Sequence, residues 1–494
     1  MQFQLLKKSK ILQAIHRLAM EQRGEIYLVG GAVRDFLLER SLGKDFDFVL
    51  PGNAADLSKE FSQEMGGKAF LLDDVFGTWR VVIRQKGEKT AVDFCSMQGG
   101  DIFADLRQRD FTVNSLAIRL PDIFRNEKPL LVDPLGGLSD LRNGILRANS
   151  EDSLRQDPLR LLRAFRFAST LGMKIEEETL GAIRRNCSLI RKSARERVRS
   201  EFFISLHENQ AARFLRDLHQ TGLLPELFPE IGGWEQLKLA PQSDSHLLEH
   251  ALQTVEAGEY LLAHLRDFYP PHVQALEQHF DQVLEEGISR KALFKFACFF
   301  HDSGKPQTRT QSPEAAVFRF LDHDQEGQGL NERLGRRLKL SRRSVRILSG
   351  LTRQHMRLAS LAKSGTMTSR AKYRFFRDLG KEGLDLVLLS LANATGNRKP
   401  SDPFEPFQNP LADLANIMET GRELLRYYYE EFSLKPPGPL LNGKDIIKAL
   451  HLTQSPLVGR LLGMLKEAEV SGRVRSREEA LEFIKNIDIS KLLI

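Results

Sequence analysis

The sequence predicts an α+β fold, with a small mixed-sheet head in residues 1–150 followed by a mostly α-helical chain. Three observations carry that prediction. Asp45 to Leu50 alternates acidic and apolar residues with the period of two expected of a half-buried strand. Ile26 to Val29 is an apolar run closed by Gly30-Gly31 and continued by the helical stretch Val33 to Arg40, a strand, turn and helix unit. From Asp157 onward apolar residues recur at helical spacing, most clearly from Leu161 to Leu171.

Trp79 to Ile83 and Ala91 to Phe94 supply two more predicted strands, separated by the turn-like Gln85-Lys86-Gly87-Glu88. A chain of 494 residues exceeds what one hydrophobic core organises, so several domains are expected. The boundaries read are 1–150, 151–235, 236–400 and 401–494, with Pro270-Pro271 and Pro436-Pro437 marking turns or linkers. The opening MQFQLLKKSK lacks the apolar stretch of a signal peptide, and no apolar run is long enough to span a bilayer, so no membrane role and a cytoplasmic location are expected. Cys95, Cys187 and Cys298 are far apart and without CxxC spacing, so they are read as reduced core residues.

The formal net charge is +7, and the basic residues are bunched. Arg184, Arg185, Arg191, Lys192, Arg195, Arg197 and Arg199 form one cluster; Arg333, Arg336, Arg337, Lys339, Arg342, Arg343 and Arg346 form another. Such runs can neutralise phosphates along a nucleic acid, or serve as solvated helix faces.

In Lys44-Asp45-Phe46-Asp47-Phe48-Val49, strand alternation puts both aspartates on one face and turns Phe46 and Phe48 into the core. Like charges this close repel unless a cation lies between them, and hard oxygen ligands suit Mg²⁺, which also takes substrate phosphates and water. Two such ions can activate a 3′-hydroxyl and steady a departing pyrophosphate. Asp93, on a neighbouring predicted strand, is the candidate third carboxylate. Gly30-Gly31 permits close backbone approach to phosphate, and the following helix presents unpaired N–H groups to an anion. Taken singly, a solvent-facing acidic strand and a tight turn are the commoner readings of these runs.

Taken together, Leu28-Val29-Gly30-Gly31-Ala32-Val33-Arg34-Asp35-Phe36-Leu37-Leu38 and Asp45-Phe46-Asp47 resemble the signature of class II tRNA nucleotidyltransferases and bacterial poly(A) polymerases, members of the DNA polymerase β superfamily. Further motifs follow in the family's order. Arg109-Asp110-Phe111-Thr112-Val113-Asn114 resembles the nucleotide-binding element, and Asp133-Pro134-Leu135-Gly136-Gly137-Leu138-Ser139-Asp140 the hinge between head and neck. Gln156-Asp157-Pro158-Leu159-Arg160, with Arg163 and Arg166 beyond it, resembles the templating motif, and Glu196 to Glu201 a later neck motif.

The resemblance implies nucleotide addition to the 3′ end of tRNA from CTP and/or ATP, without a nucleic-acid template. It implies two Mg²⁺ ions on Asp45 and Asp47, with Asp93 as a third catalytic acid. The nucleotide would be bound by Gly30, Gly31, Arg34, Asp35, Arg109, Asp110, Asn114, Asp157, Arg160 and Arg163. Asp157 and Arg160 would pair with the edge of the incoming base, as an acceptor carboxylate and a guanidinium fork can. Gln156 stands where the family has glutamate; its amide is expected to hydrogen-bond Arg160 without adding charge. Only Cys95 to Ala104 separates the third acid's strand from Asp105, where CCA-adding members carry a longer flexible loop, so C or CC addition is favoured over full CCA addition.

Further on, His301-Asp302-Ser303-Gly304-Lys305, with His250 before it and His323-Asp324 after it, resembles the HD domain. That resemblance implies a second candidate metal site at His250, His301 and Asp302, able to activate water for phosphate ester hydrolysis. The segment expected to supply the last acid reads Ala392-Asn393-Ala394-Thr395-Gly396, and neutral Asn393 is a poorer ligand, which favours structural retention of this fold. Leu441 to Asp445 and Pro456 to Leu462 resemble the tail of such enzymes, which with the basic neck is expected to contact RNA. The alternatives are a poly(A) polymerase and a metal-dependent phosphohydrolase with an RNA-binding head.

Overall fold

The computed structural model describes residues 3–489 apart from 22–24, 41–44, 74–76, 86–87, 126–128, 242–244, 312–316, 366, 397–406, 408–411 and 435–439. The expected turn at Lys86-Gly87 and the linker at Pro436-Pro437 lie outside the described residues. The chain forms two compact units, Met1–Glu201 with Asp217–Leu227, and Phe202–Arg216 with Phe228–Ile494.

The first unit is organised by a seven-stranded mixed sheet: β1 (Tyr27–Val29), β2 (Asp45–Leu50), β3 (Lys68–Asp73), β4 (Thr78–Gln85), β5 (Glu88–Ser96), β6 (Ala117–Arg119) and β7 (Leu131–Val132), in the order β3-β4-β5-β2-β1-β6-β7. All pairings are antiparallel except β2 with β5, whose register sets Asp47 opposite Asp93. Alternation then sorts the side chains. Phe46, Phe48 and Phe94 are buried, and Phe94 meets Phe48 and Phe61 with ring centroids 5.7 and 5.4 Å apart. Phe61 belongs to helix Ala54–Met65, which is capped by Asn53 and covers this apolar face with Leu57 and Phe61. Burying each such ring contributes roughly 1.5–3 kcal/mol, enough to hold the acid-bearing strand in one register.

The glycine turn differs from expectation in detail. The helix runs over Gly31–Leu37 rather than from Val33 to Arg40, because Gly30 already turns the chain with φ of 69°. Helix Leu159–Leu171 buries Leu161, Leu162, Phe165 and Phe167 and stops at Gly172, which adopts the left-handed conformation.

In the second unit, helices Leu247–Ala263, Arg290–Phe300, His323–Arg337, Arg342–Gln354 and Glu382–Gly396 pack together. Their interior holds a charged group: Arg290 donates to Asp385 at 2.8 and 2.9 Å through Nη2 and Nε, and His279 Nε2 lies 2.9 Å from the same carboxylate. The last helices, Gly443–Leu450, Pro456–Val470 and Arg477–Lys485, share their own small apolar core around Ile446, Leu461 and Leu465. Glu467 ties that core to helix Ser369–Leu379 by accepting from Arg370, Arg374 and Arg377. Two short hairpins, Val283–Glu285 with Ile288–Ser289 and Arg309–Gln311 with Phe318–Phe320, interrupt the helices and were not expected. No helix among the described residues is long and apolar enough to cross a membrane.

Candidate active site

Three carboxylates meet on one face of the sheet. Asp45 and Asp47 are two residues apart on β2, and the parallel pairing with β5 brings Asp93 beside Asp47. Burial pushes the Asp47 carboxyl up to about 6; Asp93 and Asp45 push the same way, against the pull of Arg109 and Arg80. A group of oxygen donors so short of positive charge fits a hard divalent cation. Asp93 is held by Arg80, whose Nε and Nη2 donate to its two oxygens at 2.8 and 2.7 Å. Arg80 was absent from the sequence reading, although a signal existed: the β4–β5 hairpin pairs Arg80 directly with Asp93.

Gly30 passes over this site. A Cβ built there would lie 3.3 Å from both Asp47 Oδ2 and Arg109 Nη1, and the positive φ already disfavours a side chain. Arg109 is steadied by Asp105, which accepts from its Nε and Nη2 at 3.3 and 3.2 Å. Asp105 also takes the Gln98 N–H at 3.1 Å, so the short Cys95 to Ala104 connection is a tied-down turn leading into helix Ile102–Arg107.

The remaining nucleotide-binding candidates form a continuous chain of hydrogen bonds. Arg34 donates to Asp35 at 2.9 Å and to Asn114 Oδ1 at 2.7 Å, and Asn114 Nδ2 donates to Asp110 Oδ1 at 3.0 Å. Asp110 Oδ2 accepts from Arg163 at 2.8 and 3.0 Å, and Arg163 and Arg166 both donate to Glu201. Burial acts to raise the Asp110 carboxyl, but Arg163 and the Asn114 amide outweigh it and hold it down at about 2. Arg34, Arg163 and Arg166 all lie over the Phe167 ring, at 5.3, 5.2 and 3.9 Å from its centroid. Thr112 Oγ1 donates to Asp140 at 2.7 Å, and Gly137 packs so close that a Cβ would sit 2.1 Å from the Thr112 carbonyl.

The Arg160 N–H donates to the Asp157 carbonyl at 2.9 Å, but their side chains have separate partners. Asp157 accepts from Arg197 at 2.8 Å, while Arg160 Nη1 donates to the carbonyls of Gln108, at 2.9 Å, and Ser153, at 3.0 Å. The expected bond from Gln156 to Arg160 is not formed. Gln156 is an exposed residue at the end of helix Glu151–Gln156, so backbone carbonyls orient the arginine in its place. No hydrogen bond joins Arg160 Nε or Nη2 to any described residue.

Comparison with known proteins identifies the family. Residues 26–147 match the poly A polymerase head domain family, and residues 172–233 match the family described as "Probable RNA and SrmB-binding site of polymerase A". An A-adding tRNA nucleotidyltransferase of Deinococcus radiodurans is 34% identical over 463 residues, covering 93% of this chain and 94% of that protein. The chain belongs to the tRNA nucleotidyltransferase and poly(A) polymerase family. A CC-adding tRNA nucleotidyltransferase of Thermus thermophilus is 32% identical over 470 residues, covering 93% of each. The fold is that of the Thermotoga maritima CCA-adding enzyme complexed with tRNA, with a TM-score of 0.61, 20% identity, and coverage of 97% of this chain and 94% of that one.

Much of the basic charge in this nucleotidyltransferase is internally paired: Arg185 with Glu151, Arg191 with Glu226, Arg197 with Asp157, Arg336 with Glu332 and Arg337 with Glu230. His250, His301 and Asp302 also come together, with both Nε2 atoms within 3.2 Å of Asp302 Oδ2. His323 and His355 join the same carboxylate from its other oxygen. His355 was missed in the sequence, where nothing local distinguishes it.

Proposed function

We propose that this chain adds nucleotides to the 3′ end of tRNA, and that its specificity within that reaction is for the C residues. The observation that carries the reading is the register of β2 on β5, which sets Asp47 beside Asp93 with Asp45 on the same face. Asp45 and Asp47 would hold two Mg²⁺ ions, and the ions when bound supply an activated 3′-oxygen and neutralise the triphosphate. In the transfer, the RNA 3′-oxygen forms a bond to the α-phosphorus, the bond between that phosphorus and the bridging oxygen breaks, and pyrophosphate leaves. Asp93, aligned by Arg80, is placed on the sheet face to accept the hydroxyl proton. The N-terminus of helix Gly31–Leu37 and Arg109 face the triphosphate, with Gly30 giving it room. Arg160, tethered through Nη1, offers its remaining donors to the base edge together with Asp157.

The restriction to C rests on the connection after β5. It is short and fixed by Asp105, where CCA-adding members of the family have a longer, flexible loop. The test offers the purified chain tRNA transcripts ending before the first C, the second C and the A, with CTP, ATP or both. Expected are extension by CTP as far as CC and no product from ATP. Addition of A to a CC end would replace the C assignment with A or CCA addition, and long A tails would replace the tRNA reading with poly(A) synthesis. Failure to extend any of the transcripts would remove the transfer reading altogether.

A further inference from the structure

The acid-bearing face of the sheet is closed on one side of Asp47 and open on the other. Toward β1 and β6, Tyr27, Val29, Val49 and Ala117 pack under Ile102 and Leu106 of helix Ile102–Arg107. Toward β4 and the edge strand β3 the same face meets solvent. Phe70 is 45% exposed there, and Lys68, Arg84 and Lys89 are exposed as well.

The strand registers show which residues share this open half. Asp47 stands opposite Asp93, Asp93 opposite Arg80 and Arg80 opposite Phe70, one row that crosses four strands from the acids to the edge. The next row is Asp45, Ala91, Val82 and Lys68, and beyond it Lys89 stands opposite Arg84. Residues paired across neighbouring strands point to one face of the sheet. The opposite face takes the alternate row, Phe46, Val92, Val81 and Ala69, into the core. The face therefore turns from acidic at its centre to basic and aromatic at its rim.

That rim lacks internal compensation. Lys89 and Arg84 are like charges directly opposite, an arrangement that weakens a strand pair unless an anion lies between them. Arg80 is engaged with Asp93, whereas Lys68, Arg84 and Lys89 form no ion pair with a carboxylate among the described residues. Phe70 is a large ring left in water on an edge strand, where charged or small residues are the usual choice.

The chemistry of transfer decides what reaches this side. In an in-line displacement the attacking oxygen and the departing pyrophosphate lie on opposite sides of the α-phosphorus. Gly30, Arg109 and the start of helix Gly31–Leu37 put the triphosphate on the β1 side of Asp47. The RNA 3′-oxygen then comes to the acids from the β4 side, over the row that ends at Phe70. Neighbouring strands are about 4.8 Å apart, which sets Phe70 roughly 10 Å from Asp93, about three nucleotides back along a stacked strand.

We propose that the open half of this face binds the unpaired 3′ end of the RNA, with one of its last bases stacked on Phe70 and its phosphates on Lys68, Arg84 and Lys89. The proposal rests on the transfer reading above and adds to it the side from which the RNA enters. An exposed ring among cations on an open sheet holds a single strand without reading its sequence, because every base has a π face. Each addition moves the strand along by one nucleotide, and a contact indifferent to base identity permits that advance.

Binding can be read apart from transfer. Fluorescence anisotropy with the full-length chain compares a labelled tRNA transcript ending in CC with one trimmed flush with its acceptor stem. Phe70→Ala is expected to weaken binding of the CC-ended transcript by about tenfold and of the flush transcript by less than about twofold, and Phe70→Tyr to bind both as the wild type does. Arg84→Gln/Lys89→Gln is expected to weaken the CC-ended transcript and to flatten the slope of log affinity against log salt by about one to two. In extension with CTP, Phe70→Ala is expected to raise KM for the RNA while kcat and KM for CTP stay within about twofold. Equal losses on the two transcripts, no loss on either, or a Phe70→Tyr variant as weak as Phe70→Ala overturns the proposal. A wild-type dimer in sedimentation that Phe70→Ala dissociates overturns it too, by giving the edge strand to a second copy of the chain. Phe70-dependent binding without any extension by the wild type would remove the transfer reading and leave the surface in place, and extension without that dependence would do the reverse.

Discussion

The head sets three carboxylates on a sheet face and balances them with its own arginines, Arg80 and Arg109, whereas the second unit encloses four imidazoles around one carboxylate that also pairs with Lys305. The two sites differ in donor atom, in burial and in where compensating charge comes from. Oxygen donors tempered by fixed cations suit ions that come and go with a triphosphate. Inward-facing nitrogen donors suit softer ions than carboxylates do, so the two regions differ in the chemistry of their donors.

Asp47→Ala gives the sharpest test of that division. Incorporation is expected to fall by about a thousandfold or more, equivalent to about 4 kcal/mol of transition-state stabilisation, while the second unit's folding is unchanged. Primer extension at the wild-type rate, or a joint loss of activity and of the second unit's fold by circular dichroism, would break the comparison. Arg80→Ala follows, with turnover expected to drop about 10- to 100-fold because Asp93 loses its alignment, and with little change in nucleotide affinity. A KM effect without a kcat effect would show that Arg80 binds substrate instead. Arg160→Ala is expected to reduce discrimination between CTP and ATP by about tenfold, from the loss of about 1–1.5 kcal/mol of hydrogen bonding, and equal use of each nucleotide before and after would remove it from base reading.

The smallest effect is on stability. Asp110 is held at about 2 in the fold against an ordinary value of 3.8. Its folded value is the lower, so its contribution of about 2 kcal/mol is complete above pH ~4 and lost as the pH falls through about 2. Arg163→Ala is expected to flatten this acid limb in a denaturation series, and an unchanged limb would mean other carboxylates set it.

The acid-bearing strand was legible to the residue, because Asp45 to Leu50 carries its alternation locally and Phe46 and Phe48 name the buried face. The edge strand β3 was not, since almost all its residues are exposed and no alternation marks a core side. Strands β6 and β7 are too short to show a period. Among candidate site residues, the predicted strand Ala91 to Phe94 pointed to Asp93 and the ordered motifs to Asp110 and Arg163, but several partners lie far along the chain or in the backbone: Glu201 for Arg163, Arg197 for Asp157, and backbone carbonyls rather than Gln156 for Arg160. His355 is the clearest case. Only the folded helices bring it to Asp302, and a single histidine among arginines gives no local sign of that destination.

The pairing of β2 with β5 is parallel, so the chain between Asp47 and Asp93 must first form a helix, an edge strand and a hairpin before the two acids become neighbours. The face with three carboxylates is therefore complete only once residues 45 to 96 have all folded together, and a change that unsettles the edge strand or the hairpin is felt at the acids without touching them.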